Sequence, residues 1–248
     1  MSQVPTRVLE KSLLSTYPLV AGMDEVGRGA LAGPATVGVA LVDNSTSDAF
    51  PSGLKDSKLL SPTRRQNLVE PVKQWLVDSQ VAHASPSEVD RFGIVGALRL
   101  AGFRALAQLA KRGHHPDAII LDGRDNWLSS ADLFLSLADA EMADLMAISG
   151  ELAPLMAISG ELAPVTMQVK ADANCAVVAA ASVLAKVERD SLMAALPDPG
   201  YGWASNKGYA APAHREAIAT LGASEHHRRS WHLPGLDQYR QRLATGEN

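Results

Sequence analysis

Four acidic residues stand in settings that differ from an ordinary charged surface. Asp24 and Glu25 are adjacent and follow an apolar lead-in, Asp122 ends the apolar run "AIILD", and Asp172 precedes an alanine-rich segment. Each has a simpler explanation alone, since an Asp at a strand end is usually a turn former and an Asp before a helix is usually an N-cap. Together the four carboxylates would form an all-oxygen ligand set, which suits Mg²⁺ or Mn²⁺ rather than zinc.

Such a group of acids predicts hydrolysis of a phosphodiester. Carboxylates that share a cavity repel one another unless cations neutralise them. Two ions about 3.5 to 4 Å apart can activate a water molecule and stabilise the leaving oxygen. Asp24 and Glu25 cannot both point to one side of a regular strand, because side chains alternate. We therefore expect a strand end or a β-bulge near Glu25, which the following glycines would allow.

An arginine between two glycines follows the acidic pair. Gly27 and Gly29 would let the backbone approach a ligand closely, so that its polar groups can bind a sugar hydroxyl. Arg28 offers a forked donor to a phosphate. A glycine turn with a surface arginine explains the same three residues if they are taken alone. Lys58, in "KDSKLL", likewise either contacts a phosphate or decorates a turn.

The elements that would position these residues indicate an α/β fold. "PATVGVALV" and "DAIILDG" are short, apolar runs typical of strands. Ser61 and Pro62 begin a helical segment, a second helical pattern ends at Gly113, and the segment after Cys175 predicts a helix with a buried first half. Strands that alternate with helices favour an α/β sheet, which places its chemistry at the carboxyl ends of strands.

The charge of the chain is unevenly distributed. The 248 residues carry a formal net charge of -4. Residues 117–172 hold ten acids against Arg124 and Lys170, a balance of -8, so the rest of the chain carries +4. A nucleic-acid partner is therefore not excluded by the overall sign. Aromatic and basic residues interleave after residue 200, a texture that suits stacking beside phosphates and equally suits a solvated surface.

The composition is that of an ordinary globular protein, with 46% hydrophobic and 20% charged residues. No stretch approaches the roughly 18 consecutive apolar residues of a membrane span, and the start lacks the pattern of a secretory signal. We therefore expect a cytoplasmic protein without a membrane partner. Cys175 is the only cysteine. It cannot form an intrachain disulfide, and the simpler interpretation is a small buried hydrophobe.

Taken in order, the motifs resemble those of type 2 ribonuclease H, the bacterial ribonuclease HII family. The resemblance runs from about residue 20 to 235 through "GMDEVGRGALAGP", "LKDSKLLS", "IILDG", "VKAD" with "AAASVLAKVERD", "NKGY" and "HHRRSW". The first and fourth blocks are long and specific. The resemblance implies a ribonuclease H-like α/β core, with a central mixed sheet flanked by helices and a small helical C-terminal part.

The resemblance also implies roles for individual residues by their motif position. The catalytic carboxylates, which would hold two Mg²⁺ or Mn²⁺ ions, are Asp24, Glu25, Asp122 and Asp172. The gap between Asp122 and Asp172 is longer than most members of the family carry, so the assignment of Asp172 rests on its block and not on spacing.

Substrate-binding roles follow from the resemblance in the same way. Gly27, Arg28 and Gly29 would form the loop that recognises the 2′-hydroxyl of a ribonucleotide. Tyr209 would stack on the sugar beyond the cleavage site and favour deoxyribose there. Lys58 would approach the backbone phosphate. A protein distinguishes RNA from DNA through the 2′-hydroxyl and the helix shape that follows from it, so this loop would couple recognition to cleavage.

The implied activity is that of an endoribonuclease. It would hydrolyse the phosphodiester 5′ of ribonucleotides in RNA–DNA hybrids and of single ribonucleotides in duplex DNA, leaving a 3′-hydroxyl and a 5′-phosphate. Those nucleic acids would be its partners, and we expect a monomer. Residues 1–196 would form the catalytic core, with a flexible or helical extension at 1–18 and an insertion at 140–168. Residues 197–248 would form a helical, basic substrate-binding part.

Three other functions fit part of the pattern. A Mg²⁺-dependent receiver domain also uses an acidic pair, a strand-end Asp and a Lys, but within a chain about half this long. A non-catalytic binder of RNA–DNA hybrids would not need acids at all four positions. A type 1 ribonuclease H shares the fold and the chemistry, and the "GRG" after the acidic pair favours type 2 over it.

A duplicated decapeptide predicts an insertion without a catalytic role. "LMAISGELAP" occurs at residues 145–154 and again at 155–164, which is too short and too few for a solenoid. Extra length in a surface connection has a small thermodynamic cost. Deletion of one copy should therefore leave cleavage activity nearly unchanged, measured as kcat/KM on a ribonucleotide-containing duplex. A large loss would show that the insertion contributes to the site.

Overall fold

A computed structural model describes residues 4–128 and 163–246. Five strands form one mixed sheet in the order β3-β2-β1-β4-β5. The strands are β1 (Leu19–Val26), β2 (Ala35–Asp43), β3 (Asp78–Ala84), β4 (Ala118–Asp122) and β5 (Val165–Gln168). Antiparallel pairing joins β3 to β2 and β2 to β1, whereas β4 pairs in parallel with both β1 and β5. The predicted class, a mixed sheet flanked by helices, is confirmed.

Eight α-helices and one short 3₁₀ helix, Ser57–Leu59, are described. The α-helices are α1 (Val8–Leu14), α2 (Pro62–Trp75), α3 (Pro86–Lys111), α4 (Ala171–Asn174), α5 (Ala176–Ala195), α6 (Trp203–Asn206), α7 (Pro212–Leu221) and α8 (Leu236–Thr245). The predicted helix start is confirmed, because the Ser61 hydroxyl accepts a hydrogen bond from the Arg64 amide and Pro62 is the first residue of α2. The decapeptide copies lie outside the described residues, apart from Ala163 and Pro164.

The sheet separates two apolar cores. Met23 and Leu121 face α3, whereas Val20 and Ile120 face α5 and α2. This alternation follows from the two-residue period of a strand. Because the central strands are covered on both faces, their sequences are apolar almost throughout, as the motif "AIILD" of β4 illustrates.

Helix α3 lies against β2 and β3 and is the longest described helix. A capping box between Ser85 and Glu88 begins it, and Gly93, with φ 67°, interrupts it. Among the described helices it alone is long and apolar enough to cross a membrane, yet 67% of the relevant window is buried inside the protein. Packing against the sheet explains the apolar composition of this helix.

The N-terminal segment is attached to the start of α5. The Glu10 carboxylate is fully buried, accepts a hydrogen bond from the Val177 amide at 2.7 Å and pairs with Arg7. An acid at this position favours a helix N-terminus, where amide groups lack partners within the helix. Cys175 lies beside this contact with 2% exposure, and burial raises its pKa to about 12. Its thiol therefore stays protonated, in agreement with a structural role.

Two glycines permit α5 to pack closely on the sheet. A Cβ atom on Gly38 would lie 2.4 Å from the Ala181 carbonyl oxygen, and one on Gly22 would lie 2.7 Å from a Val177 methyl group. Both glycines are on the α5 face, as is Asp24, which is paired with Gly38. Close approach of α5 thus sets the depth at which Asp24 is buried.

The C-terminal helices pack on a loop of the core through a third apolar cluster. Leu31, Met193, Tyr201 and Trp203 are among its buried members. The buried guanidinium of Arg189 donates to the carbonyl oxygens of Pro34, Ala32 and Lys207, and so joins α5 to both segments. The short helix α6 and the turn that carries Tyr209 are thereby held beside the end of β1.

Substitution of Gly38 by Ala should destabilise the fold, because the added methyl group meets the backbone of α5. We expect the free energy of unfolding to fall by about 1–3 kcal/mol, the usual scale of overpacking. Urea denaturation followed by circular dichroism measures this change. Gly29→Ala is the matched stability control, since a Cβ there has open space. Equal stability of the two variants would contradict the close packing described here.

Candidate active site

The acidic pair lies where β1 extends beyond its neighbour. Pairing with β2 continues in regular register to Val26, whereas pairing with β4 ends at Met23 opposite Leu121. The expected strand end is confirmed one residue after Glu25, but the β-bulge is not present in β1. No bend is needed, because the early end of β4 opens both faces of β1 to one cleft.

This cleft has a volume of about 670 Å³ and lies at the carboxyl ends of β1 and β4. Eight of the nine predicted site residues line it: Asp24, Glu25, Gly27, Arg28, Gly29, Lys58, Asp122 and Tyr209. The ninth, Asp172, is 3% exposed and contacts the cleft through the ammonium group of Lys58 at 2.9 Å. Residues that are separated by up to 185 positions along the chain therefore meet at one opening.

Local backbone contacts hold two of the four carboxylates in place. Oδ1 of Asp24 accepts the Glu25 amide at 2.8 Å. Oδ1 of Asp122 accepts the Ala171 amide at 2.6 Å, which ties the end of β4 to the first turn of α4. Asp172 lies inside α4, whose N-cap is Lys170, so the simpler interpretation of Asp172 as an N-cap is wrong.

Burial and mutual repulsion raise the pKa values of three of these carboxyl groups. Burial raises the pKa of Asp24 well above its usual range, and the charges of Glu25, Asp122 and Asp172 raise it further. The pKa of Asp122 is raised by burial and by Asp172. Burial also raises the pKa of Glu25, although the Arg28 guanidinium opposes this shift. The cleft therefore concentrates negative charge that requires a positive counterpart.

Two cations of the chain contact the carboxylates. Lys58 donates to Asp172, and this contact raises the Lys58 pKa although burial alone would lower it. Arg28 lies 3.3 Å from Oε1 of Glu25 and 3.6 Å from Oδ2 of Asp125. The predicted phosphate donors are thus held by acids, and a phosphate would have to compete for them.

The donor chemistry of the cleft fits a hard divalent cation. Glu25 Oε2 is buried and has no hydrogen-bond donor among the described residues. A carboxylate oxygen in this position is costly unless it binds a donor or a cation. Within residues 4–128 and 163–246, however, no three His, Cys, Asp or Glu side chains are already arranged around one ion position. The four-carboxylate metal centre stays a prediction.

The glycine-flanked loop is held from behind by an arginine that sequence reasoning did not single out. The fully buried Arg228 donates to the Gly27 carbonyl at 2.6 Å and to the Arg28 carbonyl at 2.9 Å. Gly27 has φ 83°, and a Cβ there would lie 2.1 Å from Nε of Arg189. Position 27 therefore requires glycine. Arg228 belongs to the motif "HHRRSW", whose basic residues were the available signal.

Tyr209 lines the part of the cleft that the C-terminal segment supplies, which forms its second wall, and is 36% exposed. The guanidinium carbon of Arg189 lies 5.5 Å from its ring centre, and Nζ of Lys186 lies 5.9 Å from it. Lys186 and Lys207 also line the cleft and were not predicted as site residues. Their signal was the basic character of "AKVERD" and "NKGY". A groove that combines acids, cations and an exposed aromatic ring suits a nucleic-acid backbone.

Comparison with known proteins agrees with this arrangement. The family model for ribonuclease HII matches residues 21–233. The ribonuclease HII of Streptomyces avermitilis is 40% identical over 95% of this chain and 88% of its own length. That of Paracoccus denitrificans is 40% identical over 90% of this chain and 89% of its own.

Solved structures agree in fold. The ribonuclease H2 of Pyrococcus horikoshii OT3 is 26% identical, with a TM-score of 0.58 over 93% of this chain and 100% of its own. The ribonuclease HII of Archaeoglobus fulgidus, solved in complex with PCNA, is 27% identical with a TM-score of 0.57, over 87% of this chain and 96% of its own.

The family match covers the whole region in which the cleft residues lie, and the relatives are covered over most of their length. The same region carries every motif block from the acidic pair to "HHRRSW". The chain therefore belongs to the ribonuclease HII family and is a ribonuclease H, a hydrolase that acts on RNA–DNA hybrids.

Proposed function

We propose that this ribonuclease hydrolyses the phosphodiester on the 5′ side of ribonucleotides, both in RNA–DNA hybrids and at single ribonucleotides within duplex DNA. The observation that carries the proposal is the meeting of the acidic pair, the glycine-flanked loop and Tyr209 in one cleft. The proposed reaction needs carboxylates for hydrolysis and backbone groups that can bind a hydroxyl group, and residues of both kinds line this cleft.

The carboxylates Asp24, Glu25, Asp122 and Asp172 would hold Mg²⁺ or Mn²⁺, two ions in the substrate complex. Bound ions of this kind activate water and stabilise the leaving oxygen of a phosphodiester. The chain's own contribution is the burial of Asp24 and the unpartnered Oε2 of Glu25, which make cation binding favourable. The repulsion that raises the pKa of Asp24 would be relieved by the same cations.

Recognition of the substrate would rest on three elements of the cleft. The loop Gly27–Gly29 presents backbone groups and the Arg28 guanidinium. On the other wall, Tyr209 offers an aromatic face to a sugar, and a ring in this position favours deoxyribose over the bulkier ribose. Lys58 would bind a phosphate once its contact with Asp172 is exchanged. Because the loop reads a 2′-hydroxyl that is not itself the nucleophile, the products would be a 3′-hydroxyl and a 5′-phosphate.

We propose further that the protein acts as a monomer in the cytoplasm and binds no membrane. The apolar surface of α3 is largely buried inside the protein, which supports the part of this proposal that concerns the membrane. Residues 197–248 would bind substrate, since they supply Tyr209 and Lys207 to the cleft, and residues 1–196 would carry the carboxylates.

Cleavage of a DNA duplex that contains one ribonucleotide tests the activity. The intact protein with Mg²⁺ or Mn²⁺ should cut this duplex 5′ of the ribonucleotide and leave an all-DNA duplex intact. Asp122→Asn should lower kcat by at least about 100-fold, because the variant loses a charged ligand at the reacting centre. Gel electrophoresis of end-labelled strands measures both the rate and the position of the cut.

Asp237→Asn is the matched control for this experiment. Asp237 is an exposed residue of α8 that contacts only Arg240 among the ion pairs of the described residues. Its variant should cleave at the rate of the intact protein. No cleavage by the intact protein with either metal, or undiminished cleavage by Asp122→Asn, would contradict the proposal.

Removal of the buried charge at Asp24 should increase stability while it abolishes activity. The pKa of this carboxyl group is raised in the folded protein, so its ionisation lowers stability as pH rises above the usual carboxyl range of about 4. At pH 7 without divalent metal, Asp24→Asn should raise Tm by roughly 2–4 °C, which corresponds to about 1 kcal/mol for a chain of this size.

Two further measurements check the cause of that change. Near pH 4 and below, the difference in Tm between Asp24→Asn and the intact protein should vanish, because the native carboxyl group is then protonated. Addition of Mn²⁺ should raise Tm of the intact protein and leave Asp24→Asn nearly unchanged, since ligand binding stabilises only the form that binds it. Equal metal-induced shifts in both proteins would show that Asp24 is not a ligand.

A further inference from the structure

The segment Ser224–Arg228, in which His227 and Arg228 are buried, is connected to both walls of the cleft. Its Arg228 side chain holds the carbonyl groups of Gly27 and Arg28. Its His227 ring lies 3.1 Å, Nε2 to Nε2, from the ring of His214, whose Nδ1 lies 2.8 Å from the carbonyl oxygen of Tyr209. The same short segment is therefore connected to the hydroxyl-reading loop on one side and to the sugar-stacking tyrosine on the other.

The hydrogen bonds of the two imidazole rings favour one arrangement of protons. Nδ1 of His227 lies 3.0 Å from the Ser224 backbone amide, which can only donate, and 2.9 Å from the Ser224 hydroxyl, which can donate or accept. The amide contact favours an Nδ1 without a proton, which then accepts from both groups. The Tyr209 carbonyl can only accept, so Nδ1 of His214 carries one. With both rings neutral, Nε2–H of His227 donates to Nε2 of His214. The bonds thus form a relay that runs in one direction, from Ser224 through His227 and His214 to Tyr209.

The surroundings of the pair favour the neutral rings. His214 is fully buried and His227 is 1% exposed. Burial lowers the pKa of His227 to about 4, and the charges of His214, His226 and Arg229 lower it further. Burial also lowers the pKa of His214, although its contact with the Tyr209 carbonyl and the charge of Asp198 oppose the shift. At neutral pH the relay keeps its direction.

The bond from His214 supports the Tyr209 turn on its C-terminal side, where Nε of Arg215 also donates to the Ala210 carbonyl at 3.0 Å. The Tyr209 carbonyl accepts from His214 and from the Ala211 amide, at 2.8 Å in each case. On its N-terminal side, the Gly208 carbonyl accepts from the amides of Leu31 and Ala32. The direction in which the exposed Tyr209 ring leaves the backbone is therefore set by His214 and by the core loop together.

We propose that His214 and His227 are positioning residues that aim Tyr209 at the sugar beyond the scissile bond, in fixed register with the loop Gly27–Gly29. The proposal rests on the proposed function, in which Tyr209 discriminates deoxyribose from ribose at that sugar. Neither histidine lines the cleft among the described residues, so both act through Tyr209 and not on the substrate.

Nitrogen-15 NMR of the imidazole rings in the intact protein tests the relay without reference to activity. At pH 7 we expect the spectrum to show His214 protonated at Nδ1 and His227 protonated at Nε2, with neither ring charged. The opposite tautomers, or a charged pair at pH 7, would overturn the proposal.

The ratio of kcat/KM on a single-ribonucleotide duplex to kcat/KM on a continuous RNA–DNA hybrid tests the effect on the substrate. The sugars next to the cleaved ribonucleotide are deoxyribose in the first substrate and ribose in the second. The ratio therefore reports the sugar preference proposed for Tyr209. Tyr209→Ala should lower the ratio, and His214→Phe should lower it in the same direction, by about 10- to 100-fold, the scale of a misplaced contact near the reacting centre. Adding His214→Phe to Tyr209→Ala should change the ratio less than twofold.

Two comparisons separate positioning from a merely structural role. General destabilisation would lower kcat/KM on both substrates equally and leave the ratio unchanged, which would overturn the proposal. His214→Asn keeps an amide donor near the Nδ1 position and should retain most of the ratio. Full additivity of the two single variants would also overturn the proposal, because it would show that His214 acts independently of Tyr209.

The same experiment distinguishes failure of the inference from failure of the proposed function. If the intact protein cleaves neither duplex, the proposed function fails, whereas the NMR measurement still reports whether the relay exists. If the protein cleaves both and the ratio responds to Tyr209→Ala but not to His214→Phe, the function stands and the positioning role is overturned.

Discussion

Electrostatic repulsion among buried carboxylates is the constraint on which the cleft depends. Asp24 is nearly inaccessible to water, and it lies within the field of three other acids. Such a cluster is stable only if cations, backbone amides or protons compensate the charge. The chain supplies part of this compensation with Lys58, Arg28 and the amide of Ala171. The remaining deficit is the physical reason to expect that this cleft binds divalent cations.

A second constraint is that the two walls of the cleft come from segments that lie far apart in the sequence. The loop Gly27–Gly29 follows β1, whereas Tyr209 lies about 180 positions later in the chain. Buried arginines bridge this separation, because a guanidinium group donates several hydrogen bonds in a fixed fork. Arg189 joins α5 to the carbonyl groups of Pro34 and Lys207, one before β2 and the other shortly before Tyr209. Arg228 joins the C-terminal part to the loop Gly27–Gly29. The relative position of the two walls is thus fixed by hydrogen bonds that buried arginine side chains donate to backbone carbonyl groups.

Local elements could be predicted well from the sequence, and eight of the nine predicted site residues line one cleft. Ser61 and Pro62 predicted the start of α2, because capping and proline geometry act within one helical turn. The apolar run "AIILD" predicted β4, because a strand that is covered on both faces is apolar throughout. Of the two alternatives expected near Glu25, a strand end or a β-bulge, the structure has the strand end. A bulge is one way to bring adjacent side chains to one cavity. The early end of a neighbouring strand is another way, and the sequence of β1 itself does not show it.

The sequence by itself determined the residue types, the order of the elements and the family, since these follow from local pattern and from motifs. Only the tertiary structure decided which groups share the cleft and how they are held. The motif blocks contained Arg189, Arg228 and His227, but no local pattern showed what these residues bind. The carbonyl groups that the two arginines hold lie 18 to 201 positions away, and every residue has such a group; His214 and His227 lie 13 positions apart. The same separation explains the burial of Asp24, which depends on how closely α5 approaches two glycines of the sheet.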